Sequence, residues 1–310
     1  MKPPRILVLG SGHGWHAGQL ADAASRQGCR LEFAGYESLA ASLHRDSPPR
    51  LSGQAGRLAD FDALLTRTMP AGGLESVTFR LAVMHEWQRG GGVIVNSPRS
   101  LEIAIDKFAT LAEVSRLGYP VPETAVVQSR GEALEAFRQL GQDCVVKPLF
   151  GGEGRGVMRV RDPELAWTVF STLGQLGAVF YVQRFLPPGG RDERLLVIGD
   201  RVVGVRRTNE HDFRTNVGRR EGAPGGRSTP FDPDASQQQM ALHIARHLGL
   251  RFAAVDLLPC DDGTTRVVEV NAVPGWRAAQ EVLPMRIADW LTEMLLEQIR
   301  QTAGRNHVPL

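Results

Sequence analysis

Lysine is almost missing from this chain of 310 residues: its 36 basic side chains include only Lys2, Lys107 and Lys147, and all the others are arginine. An ammonium is a compact point charge suited to a phosphate oxygen, whereas a guanidinium is a planar fork, so a lysine kept in such a chain points to a geometric need. Cysteine is scarce as well. Cys29, Cys144 and Cys260 are far apart and form no CxxC pair, which argues against a disulfide framework or a zinc site and for free thiols. No stretch approaches 18 uncharged apolar residues, and the opening MKPPRILVLG has neither an apolar h-region nor a cleavage site. No membrane partner is expected, and the cytoplasm is the expected location. A strong excess of one charge is lacking too: a net charge of +2 with scattered arginines gives a nucleic-acid partner little support.

What remains is ordinary for a globular protein, with 42% hydrophobic and 23% charged residues, and the length suggests two or three domains. Residues 5–9 form a short apolar run, followed by Gly10-Ser11-Gly12-His13-Gly14, a helix-compatible segment to about Arg26 and a second apolar run at Leu31–Ala34. This is a βαβ opening. The spacing GSGHG departs from the dinucleotide pattern GxGxxG, and no acidic residue follows in a ribose position, so a tight strand-to-helix turn is expected. Apolar runs at 63–65 and 93–95 alternate with helical patterns at 74–89 and 99–117, the latter capped by Ser97 or Ser100 beside Pro98. Residues 36–62, with Pro48, Pro49, Gly53 and Gly56, have little periodicity and are expected to be a surface excursion. From Val121 onward strands pair through turns: 144–148 with 156–160, 194–198 with 202–206, and 253–258 with 265–270. Helices are expected near 131–141, 163–176, 233–248 and 284–302. The chain is therefore expected to be α/β in its first third and α+β afterwards, the second part forming two lobes with a cleft between them.

Two constellations carry chemistry. The first runs from Val145 to Val157: a strand ending in Lys147, then Gly151, Gly152, Gly154 and Gly156, then another strand. Glycine allows backbone N–H groups to approach phosphates, and Lys147 supplies a charge that can reach a phosphate oxygen. A strand follows instead of a helix, so this is neither a Walker motif nor a dinucleotide loop. The bland reading is a glycine-rich hairpin with a solvated lysine. The second places Asp256 on one strand and Glu269 and Asn271 on the returning one. Residues i and i+2 of a strand face the same side, and hairpin pairing brings Asp256 beside them. Three oxygen-bearing side chains then converge, as hard Mg²⁺ requires, and the apolar flanks argue against a merely exposed polar face.

Together these residues resemble the ATP-grasp superfamily and, within it, the RimK-like amino-acid ligases, over roughly residues 95–285. Asn96-Ser97-Pro98 and Asp106-Lys107 are similar to the family's linker and first ATP-contacting lysine, Lys147 to the second, and Gly151–Gly156 to the loop covering the phosphates. Tyr181–Leu186, with Gln183, Arg184 and Phe185, resembles the segment that pairs with adenine, although Arg184 stands where the family usually carries glutamate. Asp192-Glu193-Arg194 and Phe213-Arg214-Thr215-Asn216 resemble ribose and phosphate contacts, and Asp256, Glu269 and Asn271 match the metal ligands. The resemblance implies an ATP-grasp fold: a Rossmann-like pre-ATP-grasp domain at 1–97, a central lobe at 98–188 and a C-terminal lobe at 189–310, with the nucleotide between the two α+β lobes. It also implies an ADP-forming carboxylate–amine ligase using ATP and Mg²⁺, or Mn²⁺ in its place. The amino acid, glutamate as first choice, would join a carboxylate acceptor, a pterin-type cofactor or a peptide, through an acyl phosphate. Arg206, Arg207 and Arg214 are the candidates for holding the carboxylate and stabilising the oxyanion, with Arg214 preferred and Arg206 second. A homo-oligomer is a further expectation.

Other residues carry blander expectations. His243 and His247 share a helix face but lack the glutamate of HExxH and a third ligand. His13 and His16 could line an acceptor pocket or sit on the surface, and Trp276 could shape that pocket or merely pack. The rival functions are a kinase on the same fold, which would release ADP without an amine, and a nucleotide sensor, which would have lost its metal ligands.

Overall fold

A computed structural model describes residues 2–152, 154–215 and 226–305. The first part of the chain contains β1 (Arg5–Leu9), α1 (Trp15–Arg26), β2 (Arg30–Ala34), β3 (Ala40–His44), β4 (Ser47–Gly53), β5 (Gly56–Arg57), β6 (Ala63–Thr66), α2 (Leu74–Arg89) and β7 (Val93–Val95). β1, β2, β6 and β7 form a parallel sheet in the order β2-β1-β6-β7. Its central strands are apolar on both faces, as parallel strands covered on both sides must be.

Residues 36–62 are more ordered than their sequence suggests, because β3, β4 and β5 make a small antiparallel sheet whose surface is mostly exposed. The prolines hid it. The β3–β4 register steps from Ser42↔Arg50 to His44↔Ser47, so Pro48 and Pro49 fall in the irregularity, where no ladder N–H is required of them.

The helix expected over 99–117 is two helices, α3 (Pro98–Ala104) and α4 (Lys107–Arg116). Ser97 caps α3 by accepting from Ser100 N–H at 3.1 Å. Asp106 then interrupts the run, its carboxylate accepting from the N–H groups of Phe108 and Ala109 at 2.8 and 3.0 Å. An aspartate bonded to the backbone this way starts a new helix and sets Lys107 at its first position.

The central sheet, in the order β10-β9-β11-β8, is built from β8 (Thr124–Val127), β9 (Cys144–Lys147), β10 (Met158–Val160) and β11 (Phe180–Arg184), with α5 (Arg130–Gln139) and α6 (Pro163–Gln175) packed together on one face. The third sheet runs β14-β13-β12-β15-β16, from β12 (Arg191–Ile198), β13 (Arg201–Thr208), β14 (Arg227–Phe231), β15 (Phe252–Pro259) and β16 (Thr265–Asn271). Helices α7 (Ala235–His247), α8 (Arg277–Gln280) and α9 (Ile287–Arg305) accompany it. All three hairpins read from the sequence pair antiparallel. None of the described helices is long and apolar enough to cross a membrane.

Two cores join the first and third sheets. Leu7 and Leu9 share one with Leu195, Val197, Ala253 and Val255, while Ile6 and Val8 share the other with Leu196, Ile198, Phe252 and Ala254. Period-2 alternation on β1, β12 and β15 sends neighbouring residues into opposite cores. α3 and α4 also pack into the first of these through Leu101, Leu111 and Val114. Asn96 fixes the junction: its Nδ2 donates to the carbonyls of Phe252 and Ala272 at 2.7 and 2.6 Å, and its Oδ1 accepts from Arg251 and Phe252 N–H at 2.8 and 3.1 Å. The central sheet keeps a separate core, Phe137, Val146, Phe170, Phe180 and Val182 among its members.

Candidate active site

A cleft opens between the central sheet and the third sheet. Its walls include Lys107, Lys147, Gln183, Arg184, Phe185, Asp192, Arg214, Asp256 and Glu269, together with Gly151, Gly152 and Gly154. Residues far apart in the chain therefore meet as the sequence reading requires.

On the central side, Lys147 ends β9 with its ammonium 5.8 Å from the centre of the Tyr181 ring. Burial pulls its pKa down to about 8; Glu269 and Asp256 oppose that shift and Lys107 adds to it. Lys107 reaches the glycine loop, donating to the Gly151 carbonyl at 2.5 Å, and lies 3.7 Å from Glu269. Gly151, Gly154 and Gly156 all have positive φ, which lets the loop fold over the cleft. Gly156 does not line the cleft; a Cβ there would fall 2.8 Å from Pro148 Cγ, so it sets the loop's return. Gln183 is buried, its amide donating to Thr124 Oγ1 at 2.9 Å. Arg184 is ion-paired with Glu123, which returns a carboxylate to the neighbourhood where the resemblance expects one.

On the third sheet, Asp192, Arg194, Arg207, Asp256, Glu269 and Asn271 share one face. The register explains this: Asp192 opposes Arg207, Arg194 opposes Asp256, and Asp256 opposes Glu269. A bulge follows Asp256, where the pairing jumps from Glu269 to Val267. Arg194 grips both oxygens of Asp256 at 2.8 and 2.6 Å, and Arg207 adds a contact at 3.3 Å. Burial alone would raise the pKa of Asp256, but the two guanidiniums outweigh it and hold the carboxyl at about 2. Asp192 accepts from Arg207 at 2.5 Å and from the Thr215 hydroxyl; burial pushes its pKa up against the pull of Arg207.

Arg206, the second choice for a catalytic arginine, is not in the cleft. It opposes Glu193 on the other face of the sheet, donating to that carboxylate at 2.8 Å and lying over Phe231. Arg207 takes the inward position. Arg214 does reach the cleft. Asp212 holds its guanidinium at 2.7 and 3.0 Å, and Nη1 donates across to the carbonyls of Val157 and Gly154 at 3.2 and 3.4 Å. It thus ties the third sheet to the glycine loop. Asn216 lies outside the described residues.

The donor set suits a hard divalent cation, being two carboxylates and an amide on one sheet face beside two lysines. Glu269 is more open than Asp256, which is kept ionised and oriented by Arg194. Asn271 Nδ2 stands 3.5 Å from Asp256 Oδ2, and an amide turned over would present its oxygen there instead. Because the third donor is an amide, no group of three His, Cys, Asp or Glu side chains able to hold a metal forms among the described residues. His243 and His247 are occupied elsewhere, with Tyr119 and Glu113, and Trp276 is fully buried.

Known proteins resemble this chain in sequence and in fold. The model of the RimK-like ATP-grasp domain matches residues 104–295. The chain is 30% identical over 291 residues to a protein of Sodalis glossinidius named probable alpha-L-glutamate ligase, covering 93% of this chain and 95% of that one. It is 28% identical over 313 residues to the tetrahydromethanopterin:alpha-L-glutamate ligase of Methanosarcina acetivorans, covering 91% and 95%. Among solved structures, the ATP-grasp ligase PsnB, in complex with a variant of its minimal precursor, Mg and ADP, superposes with a TM-score of 0.75 at 23% identity over 95% of this chain and 98% of that one. D-cycloserine synthetase DcsG gives 0.68 at 19% identity over 95% and 99%. These two likenesses concern the fold.

Proposed function

The chain belongs to the RimK-like ATP-grasp family of ATP-dependent ligases, and from that premise we propose that it joins glutamate through its amine to the carboxylate of an acceptor, by way of an acyl phosphate. The observation that carries this reading is the convergence of Lys107, Lys147 and the glycine loop, from one side of the cleft, upon Asp256 and Glu269 from the other. Phosphates belong between them. Lys147 and the loop N–H groups would neutralise the transferring phosphoryl, while Lys107 holds the loop down. Mg²⁺ held by Asp256, Glu269 and Asn271 would supply further charge neutralisation. Arg194 keeps Asp256 ionised and in place, and Asp192 would accept from the ribose.

The N–H groups of Arg184 and Phe185 are already bonded to the carbonyls of Glu123 and Asp143, so the adenine edge would meet the chain just beyond them, at Leu186. Arg214 is the residue we assign to the reacting carboxylate. Its Nη1 now rests on two loop carbonyls, and a negatively charged substrate would compete for it. An amine then displaces phosphate from the acyl phosphate, the leaving phosphate taking the bond's electron pair and the amine losing a proton. In this reading 98–188 carries the covering loop, 189–310 the metal face, and 1–97 the outer wall of the acceptor site.

The acceptor is a small molecule of the pterin-cofactor class, on the strength of the glutamate-ligase relatives; a peptide is the second reading, from PsnB and its precursor. Mass spectrometry of a cell extract incubated with the protein, Mg·ATP and isotopically labelled glutamate tests both. An Asp256→Ala, Glu269→Ala double variant serves as control. A labelled adduct formed only by the intact protein is expected, its mass separating cofactor from peptide. ATP binding with no adduct would sink the glutamate reading.

A further inference from the structure

A cluster beside the cleft has no part in the chemistry above. Arg67 follows β6, at the C-terminal edge of the first sheet. A Cβ on Gly10 would fall 2.9 Å from that of Arg67, so glycine is what lets these two strand ends approach. The guanidinium lies 4.8 Å from the Trp276 ring centre, and Nη2 donates to the Pro274 carbonyl at 3.1 Å. Nη1 is buried with no partner, and among the described residues no carboxylate pairs with Arg67. Burial lowers its pKa to about 10. A buried guanidinium with an unused donor is costly unless something completes it.

The first turn of α1 packs against the same indole through Trp15 and His16, and the turn leading into it passes Arg67 at Gly10. No side chain caps this helix and its first turn holds no acidic residue. Gly14, just before it, faces open space: a Cβ there would meet nothing within 4 Å. The unpaired N–H groups and the positive end of the helix dipole are therefore free to take an anion. His16, in that first turn, packs 4.5 Å from Trp276 and accepts from its backbone N–H at 3.2 Å. Burial, then Arg67 and Arg277, push its pKa down to about 4, so it stays neutral and leaves the positive charge to Arg67.

We propose that Arg67 and the uncapped start of α1 form a carboxylate subsite, which holds a substrate carboxylate other than the one that is phosphorylated. The inference rests on the ligase reading and deepens it. Pro274, which Arg67 grips, is three residues beyond Asn271, so the subsite adjoins the metal face without belonging to it. Two sources share this chemistry: a carboxylate of the incoming glutamate, and a second carboxylate of the acceptor.

The test uses the full-length protein and Arg67→Gln, with Arg67→Lys as the charge-keeping variant. Indole and amide NMR signals of Trp15, His16 and Trp276 are followed while L-glutamate, L-glutamine and glutarate are titrated in, with ADP affinity as the check on folding. If glutamate is the source, it moves these signals, glutamine moves them less, and Arg67→Gln weakens its binding by about 10- to 100-fold, the size of a lost charge-assisted hydrogen bond. Arg67→Lys restores part of it. If the acceptor is the source, glutamate leaves the signals unmoved, and in the labelled-glutamate assay Arg67→Gln raises the acceptor's KM by a similar factor with kcat little changed. Unmoved signals with both KM values within twofold of wild type overturn the subsite while leaving the ligase intact. A chain that makes no adduct, yet binds glutarate through Arg67, fails the ligase reading and keeps the anion site.

Discussion

The central lobe and the rest of the molecule are built on different plans. Among the described residues, the core enclosed by 124–184 draws only on that segment, α5 and α6 closing one face of their own sheet. The first and third sheets, separated by almost 100 residues of chain, are packed as one body through two common cores and the four hydrogen bonds of Asn96. The opposite face of the central sheet, with Val126 and Tyr181, meets that body beside the cleft. Beyond that face, Lys107 to Gly151 and Arg214 to Gly154 and Val157 are polar straps across the gap. An element with a private core and exchangeable straps can move as a unit, and here it carries Lys147 and the covering loop. The sheet face with Asp256 and Glu269 stays with the body.

Removing one large side chain from each core tests the contrast at its greatest. Trp276→Ala, in a core common to both sheets, should cost about 3–5 kcal/mol and lower amide protection in β1, β6 and β15 together. Phe170→Ala has a similar nominal cost, but hydrogen exchange should rise only within 124–184. Protection kept in β1 when β15 loses it would show that the first sheet is a separate unit.

Lys147 links the two regions and comes next in size. Lys147→Met should lower kcat/KM by roughly 10²–10³, as loss of an electrostatic contact to a transferring phosphoryl does. The same change should raise Tm, because the ammonium is buried at a cost that methionine avoids. The sign of its pH dependence follows. Free Lys147 titrates at about 8, and bound phosphate favours its charged form, so nucleotide affinity falls as pH rises from 7 towards 9. Near pH 8, binding takes up about half a proton. Calorimetry of ADP binding in buffers of different ionisation enthalpy measures that uptake, which Lys147→Met should abolish.

Much of this site is legible without coordinates. Asp256, Glu269 and Asn271 emerge from a period of two on one hairpin, and Lys147 from a strand that ends in a glycine loop. The choice between Arg206 and Arg207 was legible too. With Ile198 paired to Arg201 across Gly199-Asp200, counting back sets Asp192 against Arg207 and Glu193 against Arg206, so the acidic residue that lines the cleft identifies its arginine. The common cores were not, since apolar strands reveal that both faces are covered but not by what. Arg67 meets Pro274 across 207 residues, a contact no local pattern encodes.

The smallest effect makes the sharpest comparison, because the same chemical change can be made in each region. Ser129 caps α5 in the central lobe and Asp234 caps α7 in the body, each through a capping box closed by the residue three positions on. Either residue changed to alanine should cost about 1 kcal/mol. Ser129→Ala should open only α5 and its neighbours, since the core beneath is private. Asp234→Ala frays a helix whose Ala241, Ile244 and Ala245 lie in a core with Leu7 and Val255, so that loss should spread through both sheets and appear as a shift in the body's own unfolding midpoint. Equal, global shifts for the two variants would mean that the straps and the Tyr181 face bind the lobe as tightly as its neighbours are bound to each other. The lobe could not then swing to admit ATP, and the nucleotide would have to enter through motion of the glycine loop alone.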